Sequence, residues 1–507
     1  MQLLKPIDDF LNKYTMYKVV LFGLLLLVVI AFLLSFTGIL FYNPLQLSSS
    51  LLIIFASCLA SNFIFSKLLK APTNYESYMI TALILFFIYL PVSDQGDVFS
   101  LVGAGVIAMA AKYIFAIHNK HIFNPAAIAA FIMGLIGNGN AIWWVGSDVL
   151  LPFVLIVGLL IVRKIRRFRL FFAFIITSII AIALFQAKNG IPVQQSLIES
   201  FTSWPIIFFA TVMITEPLTT PPTKKLQMIY GAIVGALFGS QFEFGPIYST
   251  PEFALVAGNI YSYIVSPKAK LFLSFKDKRK VAENTFEYIF RSNQTLHFKP
   301  GQYLEWTLPH KRPDIRGNRR YFTIASSPTE KHLRLGVRVE GKASSFKNKL
   351  QEFNAADTIV ASQLTGDFTM PEDKNKKLVF IAGGIGVTPF RSMIKYLLDT
   401  NEQRSIVLFY ANKTADEIAY REIFDRAQQD LNLKTVYVLT DKEHVPTDWS
   451  GRVGRIDEKM IAEEVPDFKE RTFYISGPNA MVDAYKRLLA KLGVPAGNIV
   501  TDYFPGF

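Results

Sequence analysis

The stretch of sequence that decides the fold reads LVFIAGGIGVTPF and runs from Leu378 to Phe390. Its first five residues are apolar, as in a buried strand, and a helical pattern starts at Phe390. The residues between them are those we expect to bind a nucleotide: Gly383, Gly384, Ile385, Gly386, Val387, Thr388 and Pro389. A strand, a glycine loop and a helix in this order are typical of a nucleotide site, because glycine lets the backbone approach a pyrophosphate closely.

The residues on both sides of this loop predict two folded domains. From residue 376 to residue 507, apolar strands alternate with helical patterns, which is typical of a parallel sheet covered by helices. From 272 to 375, strand-like runs such as Gln302–Leu308 and Leu333–Val339 are separated by turn residues. The sequence therefore predicts an antiparallel β-barrel domain followed by an α/β nucleotide-binding domain.

Two short motifs in the predicted barrel are candidates for cofactor binding. The first consists of Arg320, Tyr321, Phe322 and Thr323. An arginine can clamp a diphosphate through two hydrogen bonds, an aromatic ring can lie against a flavin, and a neighbouring hydroxyl can reach the polar edge of that ring. The second motif consists of Gly341, Lys342, Ala343 and Ser344, which precede a helical pattern and could hold a phosphate. Each motif alone also fits an ordinary strand or helix cap.

In their order along the chain, these motifs resemble the ferredoxin–NADP⁺ reductase superfamily over essentially all of residues 272–507. The resemblance implies that FAD is held by 320–323 and 341–344, and that NAD(P)H is held by 383–389. Phe322 stands where the superfamily usually has tyrosine, which keeps the stacking ring. The mechanism implied is hydride transfer from the nicotinamide to the flavin.

The resemblance also assigns residues near the reacting atoms. Ser476, Gly477 and Pro478 match a Cys-Gly-Pro that lies beside the nicotinamide, with serine in place of cysteine. Thr323 and Ser476 are expected at the reacting atoms, and Phe504 is expected to shield the flavin. The choice between NADH and NADPH stays open, since Lys413 or Arg421 could meet a 2′-phosphate or could simply be exposed.

The first half of the chain has a different character. Of the 507 residues, 51% are apolar and 18% are charged, and the apolar runs are concentrated between Met1 and Leu271. This part is predicted to be a polytopic all-α membrane domain. The net charge of +13 comes without a compact basic patch, so nucleic acid is not an expected partner. The single cysteine, Cys58, excludes a four-cysteine iron–sulfur cluster within this chain, and no metal site is expected.

Ten membrane segments are predicted, near residues 19–41, 47–66, 77–92, 98–117, 125–138, 149–162, 170–186, 202–216, 227–241 and 252–266. Nearly all lysines and arginines between these segments fall on one side if the count of segments is even. The positive-inside rule then places both termini in the cytosol. We therefore expect a multi-pass protein of the plasma membrane, with the nucleotide-binding half where NAD(P)H is found.

Two polar stretches interrupt the predicted membrane domain. One reads FNPAA at 123–127 and contains Asn124; the other reads TEPLTTPP at 215–222 and contains Glu216. These residues are either helix caps and turns or a ligand site, because a carboxylate at the membrane edge is costly without a partner.

Together with Ala257-Gly258-Asn259, these stretches resemble the flavin-bearing membrane subunit of the Rnf complex and its counterpart in the sodium-pumping NADH:quinone oxidoreductase (the RnfD/NqrB family). The resemblance covers roughly residues 50–266 and implies Rnf/Nqr-like partner subunits. The Ser-Gly-Ala-Thr motif that carries covalent FMN in that family is absent, and Glu216 replaces the usual aspartate. A non-covalent FMN or riboflavin, or a quinone, is therefore expected at Asn124 and Glu216.

Three functions remain open when the two halves are joined. We favour electron export from cytosolic NAD(P)H, through FAD and the membrane domain, to an extracytosolic acceptor. This route needs a cofactor inside the membrane, because the hydrocarbon core is about 30 Å thick. The second function is reduction of a quinone near the cytosolic face. The third is a redox-driven ion pump or transporter module with a fused reductase.

Overall fold

The computed structural model describes residues 5–69, 75–117, 120–137, 141–245, 247–268, 270–314, 316–341 and 343–502. The chain divides into two compact units, one from Met1 to Lys268 and the other from Ala269 to Gly506. The first unit is helical, and the second contains two sheets with helices.

The described residues of the first unit form these helices: α1 (Lys5–Leu11), α2 (Met16–Phe36), α3 (Pro44–Leu68), α4 (Tyr75–Ile88), α5 (Gln95–Ile114), α6 (Pro125–Leu135), α7 (Leu151–Ile165), α8 (Phe168–Lys188), α9 (Val193–Thr202), α10 (Ile206–Phe208, continuing as a π-helical turn over Phe209–Met213), α11 (Lys224–Gly239) and α12 (Pro251–Val265). Two short hairpins pair β1 (Ala116–Ile117) with β2 (Lys120–His121) and β3 (Glu243–Phe244) with β4 (Ile247–Tyr248).

Each of the ten predicted membrane segments overlaps one of these helices, but the prediction of about ten transmembrane helices is wrong. Among the described residues, α2, α3, α5 and α8 are long and apolar enough to cross a membrane, and the bent pair α9 and α10 would make a fifth span. Most of the others are too short because a span needs about 20 residues. Helix α6 has 11 residues, since Asn124 caps its start and the helix ends at Leu135. Hydropathy alone does not reveal such helix ends.

Helices α8 and α11 approach each other closely through small residues. Gly231, Gly235 and Gly239 recur every four residues along one face of α11. A Cβ atom on Gly235 would lie 2.6 Å from the carbonyl oxygen of Phe174, and one on Gly239 would lie 2.8 Å from that of Ser178. Glycines spaced in this way let the backbones of apolar helices pack directly against each other.

The first sheet of the second unit is antiparallel and has six strands. They are β5 (Lys270–Ala282), β6 (Thr285–Ser292), β7 (Tyr303–Thr307), β8 (Arg319–Thr323), β9 (Leu333–Arg338) and β10 (Thr358–Thr365), in the order β8-β7-β10-β5-β6-β9. No β8–β9 ladder is present among the described residues. A hydrogen bond of 3.0 Å from the Ala325 N–H to the Arg334 carbonyl joins the two ends of the sheet. The predicted barrel is thus partly closed. Helix α13 (Ser345–Gln351) packs on it through the buried side chains of Phe346 and Leu350.

The second sheet is parallel throughout, as the sequence predicts. Its strands are β11 (Leu378–Gly383), β12 (Ile406–Asn412), β13 (Lys434–Leu439), β14 (Arg452–Val453), β15 (Thr472–Ser476) and β16 (Ile499–Thr501), in the order β14-β13-β12-β11-β15-β16. The helices in this part are α14 (Thr388–Thr400), α15 (Arg421–Leu431), α16 (Glu458–Glu464) and α17 (Asn479–Lys491). Every residue of β11 is buried, which explains why this strand reads as one apolar run.

Candidate functional site

The glycine loop lies at the carboxyl end of β11, one of the two central strands of the parallel sheet. Gly383 ends the strand, Gly384 to Val387 form a 3₁₀ turn, and α14 begins at Thr388, two residues earlier than the sequence pattern indicates. The strand, loop and helix therefore succeed one another in the order expected for a nucleotide site. Ligands of parallel α/β sheets bind at this edge.

The structure brings the glycine loop together with the predicted Ser-Gly-Pro motif. A Cβ atom on Gly386 would lie 2.6 Å from three atoms of that motif: the Ser476 carbonyl oxygen, the Gly477 nitrogen and the Gly477 Cα. The two backbones can approach so closely only because residue 386 has no side chain. Pro478 follows as the residue before α17.

The Ser476 side chain is held by a residue that the sequence analysis missed. Its hydroxyl donates a hydrogen bond of 3.1 Å to a carboxylate oxygen of Asp502, and both residues are buried. The N–H of Asp502 donates to the carbonyl of Ile475 in the same strand as Ser476. No local sequence signal links residues 476 and 502. Phe504, the predicted flavin shield, lies outside the described residues.

The predicted flavin strand, β8, is at the end of the antiparallel sheet, and among the described residues it pairs with β7 on one side. Phe322 is partly exposed and packs against Phe346, with ring centroids 5.7 Å apart. Tyr321 and Thr323 are buried, and the Tyr321 hydroxyl donates to Glu305 at 2.8 Å. Alternation along the strand thus directs Phe322 and Tyr321 to opposite faces. Phe322 lies on the side of β8 that packs against the core of the antiparallel sheet, and its stacking on a flavin stays a prediction.

Arg320 is more enclosed than its predicted role suggests. Its guanidinium is 3% exposed, stacks over the Phe346 ring at 5.5 Å, and donates to the carbonyls of Arg316, Gly317 and Arg319. Its other terminal nitrogen donates to both carboxylate oxygens of Asp314, at 2.9 and 3.2 Å. A FAD diphosphate would therefore meet Arg320 only where the Asp314 carboxylate now lies, and the role of Arg320 in binding stays a prediction.

The second predicted phosphate segment adjoins this ion pair. Gly341 has a φ of +52°, the Ala343 N–H donates back to the Gly341 carbonyl, and the Ser344 hydroxyl accepts from the Lys347 N–H as the cap of α13. Asp314 also accepts from the Ser345 N–H at 3.2 Å. Lys342 lies outside the described residues. The start of α13, which directly follows segment 341–344, and Arg320 thus meet at Asp314, and the donors on both sides are those that suit an anionic group.

Replacing Asp314 with alanine is expected to destabilise the second unit. Partial burial opposes the charged form of Asp314, but Arg320 and the Arg316 N–H outweigh it and hold the pKa of Asp314 below its usual value. In Asp314→Ala, the buried Arg320 loses its carboxylate partner, at a cost of about 1–3 kcal/mol. Thermal unfolding followed by flavin fluorescence should show the loss, with exposed Asp448→Ala as the control.

This loss should depend on pH in a defined direction. A carboxylate with a depressed pKa stabilises the fold above the unfolded-state pKa, and that contribution disappears as the pH falls through its folded-state pKa. The difference in unfolding temperature between the wild type and Asp314→Ala should therefore have its full size at pH 7 and shrink below about pH 4. Equal unfolding temperatures at pH 7 would show that the ion pair contributes nothing.

In the first unit, the predicted polar stretches converge on one cluster, in which Asn124 and Asn259 are buried and Glu216 is partly buried. The Asn124 side-chain amide donates to Glu216 at 2.9 Å, and the Asn124 N–H donates to the Asn259 side-chain oxygen at 2.8 Å. The Asn124 oxygen accepts from the N–H groups of Ala126 and Ala127 at the start of α6. The Asn124 side chain therefore caps α6 and also belongs to the polar cluster. Its interpretation as a helix cap thus does not exclude its interpretation as part of a ligand site.

The cluster includes residues that the sequence analysis did not assign. Tyr230 accepts a hydrogen bond of 3.0 Å from the Asn259 amide, and the Thr219 hydroxyl donates to Glu216 at 3.1 Å. Arg167 donates to the Thr215 carbonyl at 2.8 Å and to the Thr220 hydroxyl. Arg167 stands out in sequence only as one of several basic residues beside α7 and α8. Its position next to the 215–220 stretch is decided by packing.

The fold and the glycine loop of the second unit define a class of protein, an oxidoreductase with an NAD-binding domain. Residues 380–487 match the family described as Oxidoreductase NAD-binding domain. The chain is 27% identical over 337 residues to a flavohemoprotein of Bacillus subtilis (strain 168), an alignment that covers 63% of this chain and 80% of that protein.

Two further likenesses involve reductases. The chain is 28% identical over 226 residues to the glycine betaine monooxygenase reductase subunit of Chromohalobacter salexigens, which covers 42% of this chain and 59% of that relative. The crystal structure of a cytochrome P450 reductase from Amycolatopsis matches with 24% identity and a TM-score of 0.41, over 46% of this chain and 69% of the other. The second unit is a flavin-dependent oxidoreductase that binds FAD and NAD(P)H.

Proposed function

We propose that this chain is a membrane-bound NAD(P)H oxidoreductase that passes electrons from FAD to an acceptor at its helical unit. The acceptor is a quinone or lies outside the cytosol, and the electron path follows that of an Rnf/Nqr-like system. The chain is a multi-pass protein of the plasma membrane with both termini in the cytosol. A non-covalent FMN or riboflavin in the helical unit would serve as the intermediate carrier, and Rnf/Nqr-like subunits would be partners.

The observation that carries this proposal is the cluster of Asn124, Glu216 and Asn259. Asn124 is 3% exposed and Asn259 is 0% exposed, inside a unit whose other buried residues are mostly apolar. Groups of this kind are costly to bury in an apolar unit and mark functional sites in membrane proteins. The amides of Asn124 and Asn259 and the hydroxyls of Thr219 and Tyr230 are the donor and acceptor types that suit the polar edge of a flavin or a quinone.

In the second unit, FAD supplies the hydride acceptor when it is bound. The residues of the chain then have positioning roles. Phe322 offers an aromatic ring on β8, an end strand of the antiparallel sheet, and the glycine loop lets the backbone approach the pyrophosphate of NAD(P)H closely. Asp502 holds Ser476 at the carboxyl end of β15. We assign Thr323 to the flavin edge. No acid–base group is required for the hydride step.

Inside-out membrane vesicles that contain the full chain test the proposal, because the same electron acceptor, ferricyanide, can be supplied either outside the vesicles or in their lumen. Ferricyanide added outside collects electrons directly from the second unit, and ferricyanide trapped in the lumen is reduced only if electrons cross the membrane. With NADH outside, we expect reduction in the lumen or of an added short-chain quinone. Reduction of external ferricyanide alone would contradict the membrane part of the proposal.

The variant Asn124→Ala distinguishes the contribution of the helical unit to electron transfer from that of the second unit. It removes the hydrogen bond to Glu216 and the cap of α6, so quinone or luminal reduction should fall about tenfold or more, a loss typical of a removed hydrogen-bonding group at a reaction site. External ferricyanide reduction should not change. Asn189→Ala is the matched control, because Asn189 is an exposed residue at the end of α8. Unchanged luminal and quinone reduction in Asn124→Ala would remove the cluster from the electron path.

The flavin content of the purified chain decides between export and quinone reduction at the cytosolic face. Two flavins per chain would support a carrier in the helical unit, because a single hop cannot span about 30 Å of hydrocarbon. One flavin per chain would favour quinone reduction without crossing. Movement of charge or Na⁺ into the vesicles during turnover would instead support the ion-pump alternative.

A further inference from the structure

A group of hydrogen bonds, most of them buried or partly buried, connects the helix after the glycine loop to the segment that follows the flavin strand. The helix is α14, which begins directly after Val387, and the segment is Ala325–Glu330, which begins two residues after the end of β8. We call this segment the β8 extension. Both elements belong to the second compact unit. The β8 extension follows the predicted flavin motif, and α14 contains the last two residues of the predicted nucleotide loop, Thr388 and Pro389, before it continues to Arg391.

Arg391 makes most of these bonds. Its guanidinium donates to the Ala325 carbonyl at 3.0 Å and to both carboxylate oxygens of Glu330, one of them at 3.0 Å. The side chain is 4% exposed, and its guanidinium carbon lies 5.6 Å from the centre of the Tyr420 ring. A planar guanidinium with two acceptors on one partner and a third on the backbone has little freedom to move.

Neighbouring residues add to this connection. The Ser392 hydroxyl, fully buried, donates to the Ser326 carbonyl at 2.6 Å. Glu330 in turn accepts from the Ser327 N–H at 2.7 Å, so the β8 extension is folded around the carboxylate that Arg391 binds. Thr329 donates to Asp399, one residue before the end of α14, at 2.5 Å. The β8 extension is thus held along almost the whole length of the helix.

We propose that Arg391 is a positioning residue for hydride transfer: through Ala325 and Glu330 it fixes the flavin strand relative to the glycine loop. Hydride transfer requires the two rings to approach within about 3–3.5 Å, and a shift of about 1 Å is enough to slow it strongly. Arg391 touches neither ring in this scheme. Its effect reaches the reaction through Thr323, two residues before Ala325, and through Val387, four residues before Arg391. The inference rests on the reductase step of the proposed function and not on the membrane acceptor.

The electrostatics of the pair agree with a fixed arrangement. Burial opposes charge on both partners, but their mutual hydrogen bonds outweigh it, so the pKa of Glu330 is lowered and that of Arg391 is raised. Arg334 also pairs with Glu330, at 2.8 Å, and with Glu287. When Arg391 is removed, Arg334 therefore remains to neutralise Glu330 and Glu287, and this favours retention of the fold.

The test is anaerobic stopped-flow reduction of the flavin in the full-length, FAD-containing protein. In Arg391→Met we expect the limiting rate of flavin reduction to fall about tenfold or more, since positioning errors of this kind cost up to ~10²-fold. The dissociation constant for NAD(P)H and the flavin content should stay within about twofold of the wild type, because no nucleotide contact is removed. Arg426→Met is the matched control, since Arg426 forms an exposed ion pair with Asp430 within α15.

Two readouts distinguish positioning from general damage to the fold. Charge-transfer absorbance between the reduced flavin and NAD⁺ should decrease in Arg391→Met, and amide hydrogen exchange in residues 324–330 should increase. In the double variant Arg391→Met/Glu330→Met, which also removes the carboxylate that has lost Arg391, thermal stability should recover while the slow reduction persists. Recovery of the rate together with stability would overturn the proposal.

A milder variant keeps the test usable if Arg391→Met loses its flavin. Arg391→Lys retains the charge but cannot satisfy Glu330 and Ala325 together, so its limiting rate should lie between those of the wild type and Arg391→Met. An unchanged limiting rate in Arg391→Lys and Arg391→Met, or a weaker affinity for NAD(P)H with an unchanged limiting rate, would overturn the proposal. If only acceptor reduction in vesicles failed and flavin reduction remained normal, the membrane part of the proposed function would be at fault and not this inference.

Discussion

Gly386→Val is expected to abolish NAD(P)H oxidation, with kcat/KM falling about 100-fold or more, the scale of loss for a displaced reaction geometry. The new Cβ would lie 2.6 Å from the Ser476 carbonyl oxygen and from two backbone atoms of Gly477. Backbone atoms cannot move aside as the end of a flexible side chain can. The glycine loop and the end of β15 must therefore separate, and both the pyrophosphate contact and the position of Ser476 change. Steady-state oxidation of NADH and NADPH measures the effect.

Gly497→Ala is the control for this variant. Among the described residues, no atom lies within 4 Å of a Cβ atom on Gly497, although the residue lies in the same parallel domain. We expect it to keep full activity. Flavin content and thermal unfolding should be recorded for both variants, because the contact removed by Gly386→Val lies outside the flavin strand and FAD should remain bound. Activity within about twofold of the wild type in Gly386→Val would refute the assignment of the loop as the nucleotide site.

Gly235→Val is expected to prevent correct folding of the helical unit. The Cβ would lie 2.1 Å from the Thr177 hydroxyl oxygen and 2.6 Å from the Phe174 carbonyl oxygen, so α8 and α11 could not keep their present separation. Overpacking of this kind costs about 3 kcal/mol or more, at the upper end of its usual range, since the obstacle is backbone. Size-exclusion chromatography of the detergent-solubilised chain should show aggregation and a low yield.

Gly103→Val provides the comparison within the same unit. Its Cβ would meet only the end of the Met133 side chain, at 3.0 and 3.1 Å, and methionine can adopt another rotamer. We expect a symmetric elution peak and normal yield. A monodisperse Gly235→Val protein with wild-type thermal stability would show that the close approach of α8 and α11 is not required for the fold.

The sequence predicts the second unit well because its signals are local. A fully buried parallel strand reads as one apolar run, and the loop after it needs glycines, so LVFIAGGIG shows both the strand and its function over nine residues. The helical half is predicted less well. Hydropathy finds the apolar segments, but the lengths of α6 and of the bent α9–α10 pair depend on caps and on a π-helical turn that hydropathy does not describe.

Sequence alone thus determined the class of the second unit, its parallel sheet, its glycine loop and the apolar character of the first half, because each depends on neighbouring residues. Tertiary structure decided which distant side chains meet. Asn124 reaches Glu216 and Asn259 across 92 and 135 residues, and Arg391 reaches Glu330 across 61. Such pairs follow from how helices and sheets pack, and a polar residue in the sequence does not show which partner offsets the cost of its burial.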